Sequence, residues 1–305
     1  MCVFRVVSYD ACPCPTTWLR RLVVAAHSSV QVPLCHKSNW PSHDEFRMTT
    51  PFDEVVDEIK NRGFHNHRLE EHSGTMSRGV LRDLLSTCEP FKRDFTAGRI
   101  RDWLDFPSPG GRARKLDLVV AEPDVGTCEP DLERLRLCVE NKSVITAHRN
   151  RTNRYDDLSD LLGILHRQKP DAILVATVLI GVAEKVLNVP DRVKPFLTAE
   201  EFAGRILPRL STGDTGLWRE FPRAVSRNRP QDAERTMNKF CELPTRPPGR
   251  TDLVAYDYVL LVPVLMDNVN PPQVARSNAL GIDVDAEYRT MLDRICKAYI
   301  ARWHL

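Results

Sequence analysis

Asp117, Glu140 and Lys142 are the residues of this 305-residue chain whose types and spacing suggest chemistry. Asp117 lies inside the apolar run Leu116-Asp117-Leu118-Val119-Val120, and Glu140 and Lys142 close the run Leu137-Cys138-Val139. An ordinary core strand does not tolerate unpaired charges at such positions. The interval is 140 − 117 = 23 residues, room for two strands and a connection. Cleaving a phosphodiester requires a positive clamp for the phosphoryl oxygens and a means of making water nucleophilic. A hard divalent cation held by one or two carboxylates supplies both. Asp117 and Glu140 on neighbouring strands are therefore the candidate ligands for Mg²⁺, with Mn²⁺ as a substitute. Glu140 and Lys142 are two apart and share a strand face, which puts an ammonium beside the ion, while Asn141 points the other way.

The acid-x-Lys triplet is short, and Glu58-Ile59-Lys60 shows that it also occurs where the pattern is helical. Specificity comes from the combination: an Asp inside an apolar strand, a second apolar strand ending in the triplet, then a helix and a buried strand. The competing structural reading is a pair of strand-edge charges in a surface salt bridge.

With that combination, residues 77–180 resemble the PD-(D/E)xK nuclease superfamily, the fold of many type II restriction endonucleases, through Asp117 and Glu140-Asn141-Lys142. Leu116 stands where the family pattern usually has Pro. The resemblance implies a restriction-endonuclease-like core and Asp117, Glu140 and Lys142 as catalytic residues of a Mg²⁺-dependent DNA endonuclease. An additional acid on the preceding helix is also implied, with Glu70, Glu71 and Asp83 as candidates. A restriction enzyme of this type acts on double-stranded DNA as a homodimer, because two-fold symmetric sites are cut most simply by two copies. A cognate methyltransferase encoded nearby is then expected.

Just beyond Lys142 comes a dense set of donors: Thr146, His148, Arg149, Arg151 and Arg154, interspersed with Asn150, Thr152 and Asn153. Such side chains grip phosphates, and Arg and Asn also read base edges, so the segment is the expected nucleic-acid contact. The alternative is a solvated basic loop. Arg223, Arg227 and Arg229 are candidates for a second basic surface.

The elements that must position these residues are read from periodicity. Helices are expected from Thr50 to Gly63, over 77–88 and over 95–104, and strands over 115–121 and 136–144, with a short turn or helical piece at 129–134. A helix over 156–168 and a strand over 172–180, apolar on both faces, follow. Residues 192–250, rich in Arg, Pro and Gly, read as an irregular insertion with one short helix at 199–207. A strand over 256–266 and a helix over 285–303 end the pattern; the latter's Tyr288, Met291, Leu292, Ile295, Tyr299 and Trp303 read as core rather than a base-stacking platform. The expected fold is α/β, a mixed central sheet flanked by helices, in one domain over 48–305.

Residues 1–47 read as a poorly ordered extension, and Met48 as an alternative initiator. Cys12, Cys14, His27, Cys35 and His36 match no familiar zinc spacing. The net charge of +2, from 43 basic and 41 acidic residues, does not announce a nucleic-acid binder, so any basic surface must be local. The odd count of nine scattered Cys fits free thiols in a reducing cytoplasm, and there is no 18-residue apolar run to suggest a membrane span. Other readings remain open at this point: a repair or mobile-element nuclease of the same fold, a non-catalytic nucleic-acid-binding protein, or an α/β protein binding a small anion.

Overall fold

The computed structural model describes residues 49–61, 71–109, 115–124, 126–127, 129–145, 148, 150–187, 200, 204–205, 208–209, 225–268, 270–276 and 280–304. The expected N-terminal extension, its Cys/His set and the helix at 199–207 lie wholly or largely outside them. Residues from Thr50 to Leu305 form one compact unit.

The first helix, α1 (Pro51–Asn61), begins with Asp53 turned back onto Thr50. Thr50 donates its backbone N–H and its hydroxyl to Asp53 Oδ2, at 2.9 and 2.8 Å, and Pro occupies the first helical position. Phe52, Val55, Val56 and Ile59 form its buried stripe. Helix α2 (Glu71–Thr87) crosses it so closely that a Cβ on Gly79 would lie 2.7 Å from the Pro51 side chain. Helix α3 (Glu89–Thr96) follows directly.

After α3 the structure departs from the expected helix over 95–104. The chain turns at Gly98 (φ 71°) and runs extended as β1 (Arg101–Pro107). Trp103, Leu104 and Phe106 favour an extended strand, but as the half-exposed edge of a sheet β1 also carries Arg101, Asp102 and Asp105, which obscure its period. β2 (Lys115–Pro123) and β3 (Pro130–Val144) follow. β3 starts well before the expected Arg136, and its early part is strand rather than turn or helix. Exposed Glu133 and Arg134 hid it, and both Arg134 and Arg136 pair with Glu122 of β2.

Helix α4 (Arg151–Gln168) returns the chain to β4 (Ile173–Gly181), buried along its whole length. A small antiparallel pair, β5 (Lys185–Leu187) and β6 (Val225–Arg227), precedes helix α5 (Asp232–Phe240). The expected irregular insertion is thus corrected over its later part: Met237, Phe240, Leu243 and Arg246 are all buried. β7 (Tyr258–Leu265), β8 (Gln273–Val274) and helix α6 (Val284–Trp303) complete the unit. The α6 stripe is core, as its pattern requires, with Tyr288, Met291, Ile295 and Tyr299 fully enclosed.

The main sheet is mixed, six strands in the order β1-β2-β3-β4-β7-β8. β1, β2 and β3 are antiparallel neighbours, whereas β3, β4 and β7 run parallel. Helices flank it: α2 packs on β2 and β3 and also meets α1, α3 and α6, while α4 and α5 pack together against the parallel strands. The parallel strands begin over a buried ion cluster. Asp257 accepts from Arg246 Nη2 at 3.2 Å and from Arg302, and it takes the Leu174 N–H at 3.0 Å. Both guanidinium groups share this one carboxylate and also donate to backbone carbonyls of residues 170–172, which help to satisfy their buried N–H groups.

One expectation about thiols is corrected. Cys88 and Cys296 form a disulfide joining the start of α3 to α6, whereas the buried Cys138 is a free thiol.

Candidate active site

The sheet opens where the chemistry was expected. The β2–β3 ladder runs through Leu118↔Val139 and stops, while β2 keeps pairing with β1 as far as Lys115 and β3 with β4 as far as Val144. The next step would pair Asp117 with Glu140. There the carboxylates take over from the backbone: the Asn141 N–H donates to Asp117 Oδ2 at 2.6 Å, and the Asp117 N–H approaches Glu140 Oε2 at 3.5 Å. Lys142 Nζ donates to Glu140 Oε1. Asp117, Glu140 and Lys142 therefore converge in one fork between parting strands, and this is not an exposed surface pair: the Glu140 and Lys142 side chains are 8% and 14% exposed.

The electrostatics follow from that enclosure. Burial, and then the Asp117 carboxylate beside it, push the Glu140 carboxyl up to about 7, against the pull of Lys142. Asp117 is also raised, mainly by burial, while Lys142, the Asn141 N–H and the Ser73 hydroxyl oppose the shift and Asp105 adds to it. Two carboxylates that each disfavour the other's ionised form are a donor set that a divalent cation would relieve. Among the described residues no group of three or more His, Cys, Asp or Glu side chains gathers in ligand geometry. A two-carboxylate site still fits Mg²⁺, which keeps much of its water shell. Cys138, a neighbour on β3, is fully buried with its thiol pushed well up by burial, which leaves it an inert core group.

Sequence reasoning missed two groups around Asp117. Ser73, on the first turn of α2, donates its hydroxyl to Asp117 Oδ1 at 2.7 Å. Asp105 falls between the pairs Leu104↔Leu118 and Phe106↔Leu116, hence opposite Asp117, with a positive φ of 52°. Asp tolerates this left-handed region better than most side chains. A charged residue interrupting the half-apolar run Trp103–Phe106 was the available signal. Of the acids proposed on the preceding helix, Asp83 is removed from the site: its Oδ2 accepts from Tyr288 OH at 2.7 Å and its Oδ1 pairs with Arg82. Glu70 and the Glu71 side chain lie outside the described residues.

The expected donor segment divides. Thr146 and Arg149 fall outside the described residues. His148, expected to face phosphate, is instead 4% exposed with φ 46°, and both ring nitrogens are engaged inside the protein, with Thr236 Oγ1 at 2.6 Å and the Gly181 carbonyl at 3.0 Å. It ties the end of β4 to α5, where a Cβ on Gly181 would meet the Ile145 carbonyl at 2.4 Å. The polar run around it gave no sign that this one side chain turns inward. Arg151 and Arg154 stand on the first turn of α4, both partly exposed; Arg154 pairs with Asp157 at 3.2 Å. Of the second basic set, Arg229 is exposed, and the side chains of Arg223 and Arg227 lie outside the described residues.

No family model, no curated protein and no solved structure matches this chain.

Proposed function

We propose that this chain is a metal-dependent endonuclease that hydrolyses DNA phosphodiester bonds, of the type II restriction class, with Asp117, Glu140 and Lys142 as its catalytic residues. The observation that carries this reading is the fork itself. The β2–β3 ladder ends one step before Asp117 and Glu140, and Lys142 closes on Glu140 in the same buried place. The surrounding order also supports it, because the fork lies on the second and third strands of an antiparallel set followed by α4 and the fully buried β4. A core like that of restriction endonucleases is therefore part of the proposal.

Asp117 and Glu140 would hold a divalent cation, which supplies Lewis acidity at the phosphoryl oxygens. The chain's own residues supply the rest. The Lys142 ammonium has three donors, one of them used on Glu140, which leaves others for a phosphate oxygen or an attacking water. Arg151 and Arg154, at the start of the helix that follows β3, would meet the backbone of double-stranded DNA, with the positive end of α4 adding to their field. A homodimer cutting both strands, and a methyltransferase partner, belong to the same proposal.

The test is incubation of the purified protein with plasmid and Mg²⁺ or Mn²⁺, with sequencing of the ends produced. Ends at a recurrent sequence, lost in Glu140→Ala and Lys142→Ala, are the expected result. Unchanged cleavage by those variants would show the site to be misplaced. DNA retained on a gel but uncut with either ion would identify a binding protein instead.

A further inference from the structure

Both oxygens of Asp117 carry a fixed donor, and the two donors belong to one closed loop. Oδ1 accepts from Ser73 Oγ at 2.7 Å and Oδ2 from the Asn141 N–H at 2.6 Å. The Asn141 side chain then crosses to α2, donating from Nδ2 to Ser77 Oγ at 3.0 Å and to the Ser73 carbonyl at 3.3 Å. Its Oδ1 accepts from Thr177 Oγ1 of β4 at 2.6 Å, and Thr177 and Ser77 are completely enclosed. Asn141 thus fixes one Asp117 oxygen through its backbone and, through its side chain, fixes the turn of α2 that holds the other.

The loop joins residues 44 and 68 positions apart in sequence, so no local turn explains it. The sheet does not require it either, because ordinary β2–β3 pairing has already ended at Leu118↔Val139. A carboxylate with one donor still swings about its last torsion, whereas donors on both oxygens hold its plane and leave its other lone pairs in one direction. Helix α2 reaches Asp117 with a hydroxyl. Asp83 lies ten residues further along, roughly 15 Å by helical rise, and is occupied by Tyr288.

We propose that Ser73 and Asn141 are positioning residues that lock the Asp117 carboxylate toward the divalent cation it shares with Glu140. This rests on the metal-dependent nuclease reading. Groups that orient a ligand without touching the ion are typically worth about 10–100-fold in metal affinity or activity.

The test is calorimetric titration of the full chain with Mn²⁺ alone, in the wild type, Ser73→Ala and Ser73→Thr, beside melting temperatures without metal. Ser73→Ala should weaken Mn²⁺ binding about tenfold, and Ser73→Thr, which keeps the hydroxyl, should return it to within about threefold of the wild type. A merely structural hydroxyl would shift the melting temperature and leave Mn²⁺ affinity where it was, and that result overturns the inference. Asn141→Ala disturbs enclosed partners, so the decision is taken on Ser73. The two readings fail differently. If the wild type binds Mn²⁺ and cuts plasmid while Ser73→Ala matches it in affinity, the positioning role alone is lost. A wild type that neither binds Mn²⁺ nor cuts overturns both.

Discussion

Asp117 and Glu140 face each other at the first position where β2 and β3 no longer pair, with the Asp117 N–H directed at Glu140 Oε2 from 3.5 Å. Strands that stay hydrogen-bonded to their outer neighbours while parting from each other create an opening without unfolding the sheet. Like charges held there destabilise the metal-free protein, and burial prevents water from screening them. A cation that binds only the folded state should therefore raise the melting temperature. At a concentration a hundredfold above its Kd the stabilisation would be about 2.7 kcal/mol. Differential scanning calorimetry with Mg²⁺, Mn²⁺ or Ca²⁺ should show the rise in the wild type, and Asp117→Asn and Glu140→Gln should abolish it. An equal rise in all three proteins would place the cation elsewhere.

The Cys88–Cys296 bridge closes a loop of 208 residues and fastens α3 to α6. Cross-links of this kind contribute about 2–4 kcal/mol, largely by restricting the unfolded chain. Reductant should lower the denaturant midpoint of the wild type, and Cys88→Ser should lower it by a similar amount and then be insensitive to reductant. A reduced wild type as stable as the oxidised form would remove the bridge from the account of stability.

The sequence displayed those elements whose burial repeats along the chain. β4, buried at every position, and α6, with Tyr288, Met291, Ile295 and Tyr299 on one face, could be seen without a structure because apolar periodicity is the primary signal. Edge and surface elements gave no such signal. β1 carries three charged residues in seven, and α5, DAERTMNKF, presents only a small apolar stripe in a stretch rich in Arg and Pro. The site was legible where its residues stand out of place in apolar strands, as Asp117 and Glu140 do. It was not legible where contact depends on tertiary approach. Nothing near Ser73 in sequence announces Asp117, and His148 looked like its exposed neighbours until β4 and α5 closed around it.

His166 gives the fold an acid limit. It is 3% exposed at the end of α4, and neither ring nitrogen has a hydrogen-bond partner of good geometry among the described residues. Burial, and then the Arg246 guanidinium, lower its pKa from 6.5 to about 4. Because the folded-state pKa is depressed, the unfolded chain binds the proton first. The contribution of His166 is intact above pH 6.5 and is lost as the pH falls toward about 4. The full loss amounts to about 3 kcal/mol. Glu140, whose carboxyl is pushed up to about 7, acts in the opposite sense and favours the fold as the pH falls. The reading is therefore the difference between proteins: from about pH 7.5 to about pH 4.5, urea unfolding should show the wild type losing stability relative to His166→Leu. The same slope in both proteins would assign the acid sensitivity to other groups.

His148 and Arg151 stand close together in sequence, and the structure assigns them opposite consequences. His148 has its ring enclosed between Thr236 and Gly181, so His148→Ala leaves those partners unsatisfied and should cost about 1–3 kcal/mol of stability. It should not change how DNA affinity responds to salt. Arg151 is partly exposed on the first turn of α4. If it meets a phosphate, Arg151→Ala weakens DNA binding and reduces the slope of log affinity against log salt by about one ion. Fluorescence anisotropy with a labelled duplex over a range of NaCl concentrations, paired with melting curves, separates the two roles. A salt slope that moves in His148→Ala and stays fixed in Arg151→Ala would mean that DNA does not approach along α4.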